Sequence, residues 1–141
     1  MNISFNSVNV DFKFGKSHLL SNLINRIVSD AGKIAGEISV VFTTDEYLLE
    51  INKKYLKHYY YTDVITFADN RKDSINGDIY ISIDTVRKNS EDCNMGNFEE
   101  ELCRVVVHGI LHLIGFEDET YEKKKLMKNK EDFYLKRMEE L

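Results

Sequence analysis

The chain has 141 residues, 43% of them apolar and 30% charged, a balance that excludes a disordered chain and suffices for a core without disulfide support. Nineteen basic against twenty-four acidic side chains give a net charge of −5, which argues against broad, non-specific polyanion binding but leaves room for a local basic patch. Two cysteines, Cys93 and Cys103, provide neither a disulfide framework nor a thiolate metal cluster, and no apolar run approaches the roughly 20 residues of a membrane span.

The expectation is one domain over residues 1–141, working in a reducing cytoplasm, since the start "MNISFNSVNVDFKFG" lacks a basic stretch followed by an apolar core. Ser17 is placed to cap a first helix, in which Leu19, Leu20, Leu23, Ile24, Ile27 and Val28 recur at helical spacing until Gly32 stops it. "EISVVF" (37–42) is rich in β-branched residues and reads as a buried strand. "TTDEYLLEINKKYL" predicts a helix capped by Thr44, with Leu48, Leu49, Ile51 and Leu56 along one side. Two alternating stretches, 62–69 and 77–84, predict strands joined by the turn-rich "NRKDSIN". "TVRKNSEDCNMG" predicts a short helix ended by Gly96. The next helix starts near Asn97, with Glu100 three residues on as in a capping box, and a last amphipathic helix runs from Thr120 to Glu139. Strands and helices mixed in this order predict an α+β fold around a small sheet.

The helix after Asn97 contains "VVVHGILHLIGFED" (105–118), two histidines inside an apolar run. His108 and His112 are one turn apart and share a side with Glu101, Arg104, Val105, Leu111 and Gly115, while Leu102, Val106, Ile110, Leu113 and Ile114 cover the opposite side. The helix is therefore buried, and its one polar stripe carries the imidazoles. Gly115 suits a left-handed stop that turns Glu117 and Asp118 back toward them. Two readings fit: a hydrogen-bonded structural pair, or ligands of one divalent cation that satisfies both rings. Gly109 occupies the place where a zinc peptidase H-E-x-x-H carries its water-activating glutamate, which disfavours peptide hydrolysis.

"HGILHLIGFED" resembles the H-G-x-L-H-L-x-G-Y-D-H signature of the YbeY endoribonuclease (rRNA maturation factor) family, with His108, Gly109, Leu111, His112, Leu113 and Gly115 in register. "INKKYLKHYYYTDVITF" resembles that family's N-x-x-Y-R-x-x-D-x-P-T-D-V-L-S-F, and "GDIYIS" its G-D-I-x-I-S strand, so the likeness runs from about residue 37 to 118. It implies an α+β fold with a small, mixed four-stranded sheet, a metal site of zincin-like local geometry on a buried central helix, and one zinc ion per chain. It also implies a single-strand-specific endoribonuclease acting on RNA, in maturation of the small-subunit rRNA 3′ end and in ribosome quality control. The small ribosomal subunit and its assembly factors would be partners, with neither DNA nor membrane expected. His108 and His112 fall on the first two metal ligands; the third histidine falls on Asp118 and its preceding aspartate on Glu117. A His₂-carboxylate set with an open position is an accepted catalytic zinc arrangement, although such ligands suit other divalent transition metals too. Glu117 is either a group behind the ligands or a competing ligand.

The family arginine is replaced by Leu56, its aspartate by Tyr59 and its proline by Tyr61. The arginine's task at the phosphate must then pass to Lys57, His58 or Lys54, or be lost. The candidate catalytic residues besides the ligands are accordingly Lys57 and Glu117. Lys53, Lys54, Lys57, His58 and Tyr60 form the candidate RNA grip, lysines meeting phosphates and tyrosines stacking bases. A solvated helix end and strand-edge packing are the plainer readings of the same residues. Two other functions remain open: an assembly factor with a structural metal, and a different zinc-dependent hydrolase such as a peptidase.

Overall fold

The computed structural model describes residues 2–93 and 97–138; the expected stop at Gly96 and the helix end at Glu139 lie outside the described residues. Among those described, four strands form one mixed sheet. They are β1 (Asn2–Ser7), β2 (Ile34–Thr43), β3 (Val64–Ala68) and β4 (Ser74–Ser82), ordered β1-β2-β4-β3. β1–β2 and β2–β4 pair in parallel, while β3 pairs antiparallel with β4 through a tight turn closed by Arg71 and Ser74.

The helices follow their local signals closely. In α1 (Ser17–Asp30) the cap position is Lys16 rather than Ser17, and it makes no side-chain cap bond. Gly32, at φ +74°, ends α1 with Gly32 N–H to Ser29 and Lys33 N–H to Val28, the paired bonds of a Schellman stop. Thr44 Oγ1 accepts from Tyr47 N–H to start α2 (Asp45–Ile51). The predicted helix through Leu56 changes character at Asn52: residues Asn52–Leu56 form a π-helical turn, α3, ended by Lys57 at φ +55°. Buried Asn52 explains the break, because its Nδ2 donates to Tyr60 O and its carbonyl receives His58 N–H, drawing the following loop back. Strand β4 stops at Ser82, whose Oγ accepts from Thr85 N–H, so residues 83 and 84 open helix α4 (Ile83–Cys93) rather than extend the strand. Helix α5 (Phe98–Leu113) is capped by Asn97, whose Oδ1 accepts from Glu100 N–H at 3.1 Å. The return bond runs from Asn97 Nδ2 to the Glu100 carboxylate, not from the cap's backbone. Helix α6 (Tyr121–Met138) is the last of the described elements.

Helix α5 is the centre of the fold, packing on β3 and β4 and touching α1, α4 and α6. The main core joins Leu23, Ile27, Val40, Phe42, Ile79, Ile81, Val106 and Ile110. Alternation along β4 sends Tyr80 to the other face, where a smaller cluster holds Leu48, Ile51 and Ile65 beneath α2. Gly109 lies where α5 meets β4: a Cβ there would stand 2.8 Å from Ile79 Cγ2. Position 109 thus faces the sheet, and glycine is present because the helix sits tight on it. No described helix is long and apolar enough to cross a membrane.

Candidate metal centre

The site grows from two turns of α5 and the bend after it. Gly115, at φ +109°, receives no Cβ penalty, and Gly115 N–H to His112 O and Phe116 N–H to Leu111 O make a second Schellman stop. Asn70 in the β3–β4 turn donates to Leu113 O at 2.8 Å and satisfies one of the remaining end carbonyls. The chain leaving this anchored bend delivers Asp118 to the histidines. His108 Nε2 and His112 Nε2 are 3.0 Å apart, and Asp118 Oδ2 stands 3.4 Å from the first and 3.7 Å from the second. Ligands about 2.0–2.1 Å from a tetrahedral ion are about 3.3 Å from one another. The three atoms therefore converge at the separations one small divalent cation requires, and the cluster could hold a metal ion.

The rings are half-buried rather than fully buried, with 23% of the His108 side chain and 26% of the His112 side chain exposed. Their exposed edges face a cleft of about 420 Å³, lined by Asn52, Leu56, His58, Tyr60, Thr62, Asp63, the first three residues of β3 and the three candidate ligands. A donor set that meets solvent on one side leaves a coordination position accessible.

Behind His108, its Nδ1 lies 2.7 Å from Glu131 Oε2 on α6. A carboxylate can only accept, so Nδ1 carries the proton and the Nε2 lone pair faces the cluster. Glu131 is in turn held by Arg104 at 3.0 Å, and Arg104 reaches Asp132 at 2.6 Å. Burial pulls the His108 imidazolium down, but the Glu131 hydrogen bond and charge, with Asp118 and Asp63, outweigh it and leave the pKa raised. Asp63, at the mouth of β3, has its carboxyl pushed up by burial, with His108 opposing.

The other residues singled out by sequence separate into two groups. His58 and Tyr60 line the cleft, stacked with ring centroids 5.2 Å apart and joined by a 3.0 Å contact between Tyr60 Oη and His58 Nδ1. Lys53, Lys54 and Lys57 are absent from its lining: Lys53 pairs with Glu50 at 3.7 Å and Lys54 Nζ sits 5.3 Å from the Tyr55 ring centroid. Leu56, in the place of the family arginine, does line the cleft, so of the three substitutes only His58 reaches it. Glu117 turns outward to Lys123 at 2.7 Å, and that ammonium holds its carboxylate below the usual range.

Two residues that sequence reasoning passed over stand at the site, Glu131 and Asp63. Glu131 had a readable signal: it falls between buried Met127 and Tyr134 at helical spacing, a carboxylate on the core stripe of α6. Asp63 had only its membership of the matched "TDVITF" stretch.

The family profile described as Endoribonuclease YbeY matches residues 3–139. The Endoribonuclease YbeY of Flavobacterium psychrophilum is 45% identical over 134 residues, covering 95% of this chain and 94% of that one. The protein of the same name from Porphyromonas gingivalis (strain ATCC 33277) is 39% identical over 138 residues, covering 98% and 91%. A solution structure of a Thermotoga maritima protein superposes with a TM-score of 0.64 at 28% identity, covering 96% of this chain and 88% of that one.

Proposed function

The chain belongs to the YbeY endoribonuclease family, and on that premise we propose that it is a zinc-dependent, single-strand-specific endoribonuclease of the cytoplasm, acting in maturation of small-subunit rRNA. The observation that carries the reading is the convergence of His108, His112 and Asp118 at metal-ligand separations on an open cleft. His108, His112 and Asp118 would hold a divalent ion, which would supply Lewis acidity toward a phosphodiester oxygen and toward a water.

The chain's own groups supply the rest. Glu131 fixes the His108 ring so that Nε2 is turned toward His112 and Asp118. Asp63, in the same cleft lining just before β3, supplies the carboxylate that Gly109 cannot, and receives the proton of the attacking water. His58 takes the phosphate-facing position vacated at Leu56, and the stacked His58–Tyr60 pair offers a ring face to an unpaired base. Position 109 packed against Ile79 argues against a peptidase, because a glutamate there would meet the sheet instead of the cleft. The half-exposed donor set argues against a purely structural metal, whose site would be closed.

Zinc-loaded protein should cut a single-stranded RNA and spare the same sequence in a duplex. Chelation and His112→Ala should each abolish cutting. Cutting that survives both would reject the reading.

A further inference from the structure

A second cleft, of about 400 Å³, is lined by residues of α5 and α6 together with Asp118. His108 and Asp118 line it as well as the first, so the candidate metal centre is the waist between two openings rather than the floor of one pocket. We propose that the site is a through-groove for an uninterrupted RNA strand, with the α5–α6 arm gripping the phosphate backbone through Lys124 and Lys128. The proposal rests on the endoribonuclease reading and extends it to where the strand goes after passing the metal.

The two arms differ in chemistry. The first presents Tyr60 stacked on His58 and is suited to an unpaired base. Among the described residues no Phe or Tyr lines the second, and its one ring, His108, belongs to the candidate metal centre, so this arm offers no stacking platform of its own. Its charge is mixed, which makes the state of each group decisive. Glu131 is engaged by His108 and Arg104, and Arg104 is engaged by Glu131 and Asp132. Glu100 is bonded to Asn97 Nδ2, and Glu101 also has a partner. Asp118 belongs to the candidate metal cluster with His108 and His112. Lys124 and Lys128 are exposed, lie one turn apart on α6, and hold no ion pair among the described residues. They are thus the cations of this arm left available to phosphates, at a spacing that lets both meet one strand. A groove open at both ends needs no chain terminus, a geometry that suits internal cutting.

The test uses zinc-loaded full-length protein on a covalently closed single-stranded RNA circle and on the linear RNA of the same sequence. Wild type should cut both. Lys124→Gln/Lys128→Gln should raise KM about tenfold on strands that extend past the cut on both sides, and should flatten the slope of log KM against log salt by about 1.4, or 0.7 per lost phosphate contact on a single strand. The loss should appear in KM and not in kcat, and should vanish on a substrate cropped at the cut on the α6 side. A double variant with wild-type KM and salt slope overturns the through-groove while leaving RNA cleavage standing, and a wild type that cuts the linear RNA but spares the circle overturns the through-groove together with the internal-cutting reading it rests on. A wild type that cuts neither RNA removes both.

Discussion

His108 on α5 and Glu131 on α6 are joined by a 2.7 Å hydrogen bond from Nδ1–H to carboxylate, across 23 residues of sequence. This bond sets the ring's tautomer and makes its Nε2 a better donor to a cation. Glu131→Gln keeps the shape but removes the charge, and should weaken divalent-metal affinity about 10–100-fold. A competition titration against a chromophoric chelator measures it; unchanged affinity would mean that the bond is only structural.

Asp63→Asn separates chemistry from metal binding. With the three candidate ligands intact, metal affinity should stay near wild type while kcat on RNA falls by about 10²–10⁴. Equal kcat in the two proteins would remove Asp63 from the reaction.

Gly109→Ala tests the packing account of the histidine motif. The new methyl would stand 2.8 Å from Ile79 Cγ2, inside a dense core, so the variant should lose about 1–3 kcal/mol in urea denaturation even though alanine is the better helix former. A stabilised variant would show that α5 does not sit against β4 as closely as described.

How much of this was legible in the sequence depended on whether the cause was local. Gly32, Gly115, Thr44 and Asn97 mark helix ends through bonds within a few residues, and each stands at the predicted end. His108, His112 and Asp118 were readable for the same reason, since one helix and one bend bring them together. Strand β1 was not anticipated, because Asn2–Ser7 is a half-exposed edge strand and takes its register entirely from β2, more than thirty residues away. The π-helical turn was missed because the apolar spacing from Leu48 to Leu56 imitates a continuing helix. The bond from Asn52 to Tyr60 that breaks it is visible only once the loop is folded. Strand β3 proves shorter than its apolar pattern and β4 begins three residues earlier, since the turn at Arg71–Ser74 zips farther than its polar composition suggests.

Alkaline pH should destabilise the fold through two buried groups. Burial pushes the Cys103 thiol from 9.0 up to about 12. Burial, with the hydrogen bond to Asp30, pushes the Tyr134 phenol from 10.0 up to about 12. Unfolded chains release these protons first, so the stability they lend is complete below pH 9 and declines as pH rises toward 12. Urea midpoints at pH 8 and pH 11 should differ in that direction, and Tyr134→Phe should show a smaller decline than wild type. A variant that declines as steeply as wild type would show that Tyr134 plays no part.

The most direct measurement is metal-edge X-ray absorption on zinc-loaded protein, beside Asp118→Ala. The account predicts two imidazole nitrogens and one carboxylate oxygen about 2.0–2.2 Å from zinc, plus one solvent oxygen, with the carboxylate signal gone in the variant. A zinc shell that is the same in both proteins, or one closed by four protein ligands, would contradict it.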